Sequence, residues 1–325
     1  MERRVAYARR PGGPEVLQVD AERLLPPKSG EVLLRVEAVG LNHVESLIRA
    51  DTYKIKIPFP YAAGVEGAGV AVAAGPDVDI AAGTRVCWTA VFGSCATFVV
   101  APATMLARLP DTLSFEDGAS LAHAGLTAAG LVRHWPLERG STAVVWGAAG
   151  SVGLLLVASL AERGVRVIGI ASGARVERAR VAGAALVIDR SREDVGQAVR
   201  SATDGRGVSA VFDPVGAATY RINLQFLAPR GCLINYGQLS GALPAIELAD
   251  LMDAGSVFVT KYGPRAGLVG RNEVGSFVSD ALTLASKRQL TSGVAALFTL
   301  DRVVDAYTRL ESNPDGKVLI LPHSA

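Results

Sequence analysis

At 325 residues, half apolar and a fifth charged, the chain is too long for one ordinary core and too apolar to be disordered, so two globular domains are expected. A formal net charge of +2, with no basic tail or run of like charge, excludes nucleic acid and an anionic membrane surface as expected partners. Three cysteines, Cys87, Cys95 and Cys232, form no CxxC pair and no even disulfide framework, which points to inert thiols in a reducing compartment.

The segment after Met1 reads as a strand with no apolar signal core. The most apolar stretch, 152–160, is too short to span a bilayer, so a cytoplasmic protein is expected. The first third reads as β-rich. Residues 31–39 alternate apolar and polar, 65–74 are rich in Val, Gly and Ala, and Pro/Gly clusters at 11–14, 26–27 and 75–76 mark turns. A short helix is predicted over 44–50. Beyond about residue 120, apolar runs of the buried parallel type alternate with helical segments. Strands are predicted at Thr142–Trp146, 165–170, 186–188, 210–212 and 232–236. Helices are predicted at 151–163, 175–182, 194–202 and 219–227. That alternation specifies an α/β fold with a doubly wound parallel sheet. A last strand is predicted at 257–259, helices at 273–286 and 300–310, and a closing strand at Lys317–Leu321.

Gly147, Ala148, Ala149, Gly150, Ser151, Val152 and Gly153 directly follow the first of these strands and open a helix. In that setting one glycine permits the tight turn, one lets a pyrophosphate approach the backbone, and one lets helix and strand pack closely. The helix N-terminus then offers N–H groups to the phosphates. An NAD site needs an Asp or Glu about 20 residues beyond the glycines to hold the ribose 2′-OH. Here the second strand ends in Ser172 and Gly173, with Arg175 and Arg178 following. A hydroxyl and two guanidinium groups suit a 2′-phosphate, so NADPH is the expected cofactor.

Several spaced motifs carry a family resemblance over nearly the whole chain. They are Gly12-Gly13-Pro14-Glu15-Val16-Leu17, Gly30-Glu31-Val32-Leu33 with Gly40-Leu41-Asn42, Gly64-Val65-Glu66-Gly67-Ala68-Gly69, Gly125-Leu126-Thr127-Ala128, Asp204-Gly205-Arg206-Gly207-Val208 and Gly316-Lys317-Val318. In this order they resemble the zinc-independent quinone oxidoreductases of the medium-chain dehydrogenase/reductase superfamily. The resemblance implies a GroES-like β-rich catalytic domain, residues 1–122 and 260–325, flanking a Rossmann NADPH-binding domain, residues 123–259. It also implies a homodimer, with the apolar strand 256–259 as the pairing edge.

Zinc-dependent members of the superfamily bind their metal through Cys, His and Cys. The matching positions here are Asn42, Val65 and Ala124, none of which suits zinc, and the four-cysteine structural lobe is missing. Glu66 survives from the family's His-Glu pair. His43 and His123 stand next to ligand positions without occupying them and are read as cleft or packing residues. No metal is therefore expected. The chemistry implied is hydride addition to a quinone or to a C=C bond conjugated to a carbonyl, with hydrogen-bond donors stabilising the negative charge that builds on oxygen.

Asn42 matches the family's Asn and is the first candidate donor. Tyr53, eleven residues later, matches a tyrosine of quinone oxidoreductases and of many enoyl-thioester reductases. A phenol keeps its proton at neutral pH and can donate it. The alternatives are a turn-capping Asn42 and a pocket-shaping Tyr53. Leu47 replaces a further tyrosine common in bacterial relatives. By matched position Thr127, Tyr236, Gly237 and Gln238 are expected near the nicotinamide, Val215 on the cofactor side at the end of another strand, Lys261 near a phosphate and Arg190 against the adenine. Residues 262–265 depart from the family pattern. Three readings stay open. One is a quinone or enone reductase. A second is a free-standing enoyl-thioester reductase of a biosynthetic pathway, whose acyl carrier protein partner would meet Lys54, Arg265 and Arg271. The third is a catalytically silent NADPH-binding protein.

Overall fold

The computed structural model describes residues 1–53, 56–263, 270–291 and 293–324. Lys54, Pro264 and Arg265, expected to border the substrate or a carrier protein, lie outside the described residues, as does the side chain of Arg271. The chain divides into two compact units, Met1–Leu126 with Gly270–Ala325, and Thr127–Val269.

The first unit holds β1 (Glu2–Ala8), β2 (Leu17–Arg23), β3 (Glu31–Gly40), α1 (His43–Arg49), β4 (Tyr61–Ala62), β5 (Glu66–Ala74), β6 (Arg85–Thr89), β7 (Phe98–Pro102) and β8 (Leu106–Arg108). The 20-residue α2 (Phe115–His134) crosses from this unit into the second. The second contains β9 (Thr142–Trp146), α3 (Ser151–Glu162), β10 (Arg166–Ala171), α4 (Val176–Val181), β11 (Leu186–Asp189), α5 (Val195–Ala202), β12 (Val208–Asp213), α6 (Tyr220–Leu224), β13 (Leu227–Asn235), α7 (Leu248–Asp253) and β14 (Phe258–Lys261). The chain then returns to the first unit with α8 (Val274–Arg288), β15 (Val294–Thr299), α9 (Val303–Glu311) and β16 (Lys317–Leu321).

In the first unit β3 is the organising strand. It is antiparallel to β5, β7 and β16, so residues from both ends of the chain share one sheet, in the order β15-β16-β3-β5-β6-β8. A smaller sheet, β2-β1-β4, completes the unit's strands.

The second unit is a parallel sheet in the order β11-β10-β9-β12-β13-β14, a doubly wound Rossmann sheet whose order reverses between β9 and β12. Its central strands are buried on both faces, which is why they read as runs of Val, Ile and Leu without alternation. Val144, Ile168, Ile170, Val211, Phe212 and Leu233 are at most 1% exposed. α3 is apolar nearly all round, Leu154 to Ala158 being buried, as a helix must be when it is covered on every side. Among the described residues no helix is long and apolar enough to cross a membrane.

A nucleotide cradle and a buried polar cluster

A parallel sheet sends the carboxyl ends of all its strands to one edge, and ligands of such sheets bind there, at the point where strand order reverses. The positions singled out in the second unit follow those ends in turn. Gly147 to Gly153 follow β9, Ser172 to Arg178 follow β10, Arg190 follows β11, Val215 follows β12, and Tyr236 to Gln238 follow β13, while Lys261 is the last residue of β14. Thr127 is buried on α2.

The turn after β9 needs its glycines for separable reasons. Gly147 has φ +62°, a left-handed conformation costly for other residues. Gly150 is the N-cap of α3 and has no capping side chain, so the first N–H groups of that helix are not taken by its own cap. A Cβ on Gly153 would lie 2.1 Å from Gly147 O and 2.8 Å from Ala148 Cα. Ala148 N–H donates to Ile170 O at 3.1 Å, tying the turn to β10. These residues fit a dinucleotide pyrophosphate lying on a bare helix N-terminus.

After β10, Ser172 is the N-cap of a short 3-10 turn, Gly173–Arg175, that runs into α4 with Arg178. Arg190 Nε lies 3.4 Å from Ser172 Oγ, which brings together two positions that sequence had treated separately. Asp189, which sequence reasoning missed, sits against the same turn. Its carboxylate accepts from Gly173 N–H at 3.3 Å and from Ser191, and those hydrogen bonds hold its carboxyl below the usual range.

The loops after β12 and β13 are pinned by a buried residue that sequence also passed over. Asp213, fully buried, accepts from Val215 N–H at 2.7 Å, Thr219 Oγ1 at 2.8 Å and Asn223 Nδ2 at 3.3 Å. Burial pushes its carboxyl up, against the pull of these donors. Its carbonyl accepts from Asn235 Nδ2 at 3.0 Å and from Tyr236 N–H at 2.9 Å. Lys261, expected at a phosphate, donates to Asn235 Oδ1 and, at 2.7 Å, to Gly237 O, so its ammonium fastens the ends of β13 and β14. A Cβ on Gly237 would meet Pro214 O at 2.3 Å, so these two loops touch backbone to backbone. Gln238 is exposed.

In the first unit Asn42 is the N-cap of α1. Its N–H donates to Glu45 Oε1 at 3.0 Å, the acidic half of a capping box visible in sequence as Asn followed three residues on by Glu. The side chain belongs to a second network. Asn42 Nδ2 donates to Glu66 Oε1 at 2.7 Å, and Lys317 Nζ donates to Asn42 Oδ1 at 2.9 Å and to Glu66 Oε1 at 2.6 Å. Glu66 Oε2 accepts from His123 N–H at 2.6 Å. His123 Nδ1 and Thr89 Oγ1 are 2.9 Å apart. Burial and the Lys317 charge hold His43 below its ordinary pKa. Behind Asn42, Tyr307 donates to Glu45 Oε2 at 2.7 Å, and burial pushes the Glu45 carboxyl up to about 7. Tyr53 sits half-buried in the loop after α1, its N–H on Leu47 O at 3.1 Å. No hydrogen bond among the described residues joins it to Asn42.

The first unit does not fit zinc. Both Glu66 oxygens are engaged and an ammonium lies against one of them. Among the described residues no group of three or more His, Cys, Asp or Glu could hold a metal. Cys87 and Cys95 are fully buried, and burial raises both thiols well above the usual range.

Residues 28–111 match the alcohol dehydrogenase GroES-like domain, and residues 151–267 match the zinc-binding dehydrogenase model. The chain is 32% identical to a quinone oxidoreductase of Pseudomonas aeruginosa over 99% of its length and 100% of the relative. It is 29% identical to a 2-haloacrylate reductase of Burkholderia, over 98% and 99%. The structure of Escherichia coli quinone oxidoreductase complexed with NADPH superposes with a TM-score of 0.87 at 29% identity, over 98% of this chain and 100% of that one. With the sheet order, the glycine turn and the metal-poor cluster in place, these likenesses show that the chain belongs to the zinc-independent quinone oxidoreductase family of the medium-chain dehydrogenase/reductase superfamily.

Proposed function

We propose that this protein is an NADPH-dependent reductase that adds hydride, without a metal, to a quinone or to a C=C bond conjugated to a carbonyl. The observation that carries the reading is the gathering of the glycine turn, Ser172 with Arg190, and the Asp213-pinned loops at one edge of the parallel sheet. The NADPH complex of the E. coli relative supports the cofactor. The 2-haloacrylate reductase supports an acceptor whose double bond is polarised by a neighbouring carbonyl group.

When bound, NADPH supplies the hydride. The N–H groups at the start of α3, from Ser151 onward, hold the pyrophosphate. Ser172, Arg175 and Arg178 hold the 2′-phosphate, with Arg190 toward the adenine. Thr127, Val215, Tyr236, Gly237 and Gln238 form the nicotinamide end. Asn42 has its Oδ1 and one N–H committed to Lys317 and Glu66. Its other hydrogen bonds, to Glu45 Oε1 at 3.4 Å and Gly40 O at 3.5 Å, are long, so the second N–H can exchange them for a substrate oxygen. That N–H and the Tyr53 hydroxyl donate to the substrate oxygen as charge builds there, and Tyr53 or water supplies the proton.

β14 pairs on one side with β13, and Phe258 on it is half exposed. A homodimer joined along this edge is part of the reading, and a monomer in light scattering at micromolar concentration removes it. Free thiols without a disulfide framework support a cytoplasmic location.

The test is loss of NADPH absorbance with quinones, enones, enoyl-CoA and enoyl-acyl carrier protein, each repeated with NADH. Turnover of quinones or enones with preference for NADPH is expected. Turnover of thioesters alone replaces this reading with that of an enoyl-thioester reductase. Tight NADPH binding without turnover of any acceptor replaces it with the silent one.

A further inference from the structure

We propose that Lys317 is a positioning residue for Asn42, its ammonium deciding which end of the amide faces Glu66 and so which N–H is left for the substrate. The inference rests on the role given to Asn42 above.

The placement comes from the fold. Lys317 opens β16, which pairs antiparallel to the end of β3 through Leu319 with Gly40. Leu41 N–H donates to Val318 O at 3.1 Å, so the strand register itself holds Lys317 beside Asn42. The Lys317 side chain is 8% exposed and that of Glu66 is fully buried. Gly40 leaves room for the carboxylate, since a Cβ there would lie 2.7 Å from Glu66 Oε1.

An amide has two ends of nearly equal shape and opposite hydrogen bonding. With an ammonium on Oδ1 and a carboxylate on Nδ2, both bonds are charge-assisted. The flipped amide would set its NH2 against the ammonium and its carbonyl against the carboxylate. One orientation is therefore held. The groups facing the ammonium are Glu66 and Asn42 and, more distantly, His43 and Glu45, on both of which its charge acts. Among the described residues, Lys317 Nζ is the side-chain donor on Oδ1.

The variant Lys317→Met alone strands a buried carboxylate and can cost the fold. The double variant Lys317→Met/Glu66→Gln removes both charges with groups of similar size. The melting temperature, NADPH affinity by fluorescence titration, kcat and KM for the acceptor, and hydrogen exchange of the side-chain amides in 15N-asparagine-labelled protein are measured on it. We expect a near-native melting temperature and NADPH affinity. The Asn42 amide should exchange on the order of tenfold faster, and kcat should fall by about tenfold, the loss of one charge-assisted hydrogen bond. Lys317→Arg should restore most of kcat. Unchanged Asn42 exchange in the double variant, or a kcat loss matched by lost folded protein, overturns the proposal. If Asn42→Ala keeps full kcat while the double variant still frees the amide, the positioning stands and the substrate role of Asn42 falls.

Discussion

Replacing Gly153 by alanine asks whether the turn after β9 has the cradle geometry described. The added Cβ would lie 2.1 Å from Gly147 O, where ordinary contact begins at 3.4 Å, so the gap must open by 3.4 − 2.1 = 1.3 Å. The neighbours are backbone atoms, and α3 is wedged by buried Leu154, Leu155 and Leu156, so neither side yields by rotating a side chain. Overpacking of this kind costs about 1–3 kcal/mol. At roughly 2–4 °C per kcal/mol for a domain of this size, calorimetry should register a fall of several degrees. The same shift pulls the first N–H groups of α3 from the pyrophosphate, and losing two charge-assisted hydrogen bonds weakens NADPH by about a hundredfold. Gly150→Ala is the control, because its Cβ would meet only Gly147 O at 3.3 Å. It should keep its melting temperature within about a degree of the unaltered protein, since this glycine admits the pyrophosphate and does not pack α3 against the turn. Native affinity and melting temperature in Gly153→Ala would refute the reasoning about the turn.

The Glu45 carboxyl, raised by burial from 4.5 to about 7, makes the folded state bind an extra proton between those values, so stability should fall as pH rises through that window, by about 3 kcal/mol in all. Glu45→Gln should flatten that slope in melting curves from pH 4.5 to 8, and an unchanged slope counts against the assignment. Arg175→Glu/Arg178→Glu should weaken NADPH by at least about tenfold while leaving NADH nearly unaffected, because only the 2′-phosphate meets the reversed charge. Equal losses for both cofactors in parallel titrations would place these arginines elsewhere. Tyr53→Phe should lower kcat on the order of a hundredfold with NADPH affinity intact if its hydroxyl supplies the proton. A change in KM alone marks it as a pocket wall.

Sequence reading succeeded where the signal is local. The strands Thr142–Trp146 and Lys317–Leu321 are found as expected, since each is a β-branched or apolar run with a turn signal before it. The helix expected over 219–227 stops at Leu224, and β13 starts at Leu227, because no Gly or Pro separates one apolar run from the next. α2 escaped altogether. It carries Gly118, Gly125 and Gly130 and no strong apolar stripe. Its glycines serve close packing instead, a Cβ on Gly125 falling 2.7 Å from Ala281 Cβ and one on Gly130 colliding with the Tyr262 hydroxyl. In the site, the glycine turn and the arginines were legible because their chemistry is written in neighbouring residues. Lys317 stood in a quoted motif with no role, since its partners Glu66 and Asn42 are 251 and 275 positions away. Asp213 and Lys261 likewise act on loops that only the sheet brings alongside.

The first unit is assembled from both ends of the chain, whereas the second is one uninterrupted stretch. During synthesis the nucleotide-binding stretch is therefore complete while β3 still lacks its β16 neighbour. A ribosome stalled near residue 300 would hold a finished Rossmann sheet beside an unfinished one with an open edge. The strand that seals this edge also brings in the ammonium that neutralises Glu66, so folding of the first unit and maturation of its polar cluster are one late event.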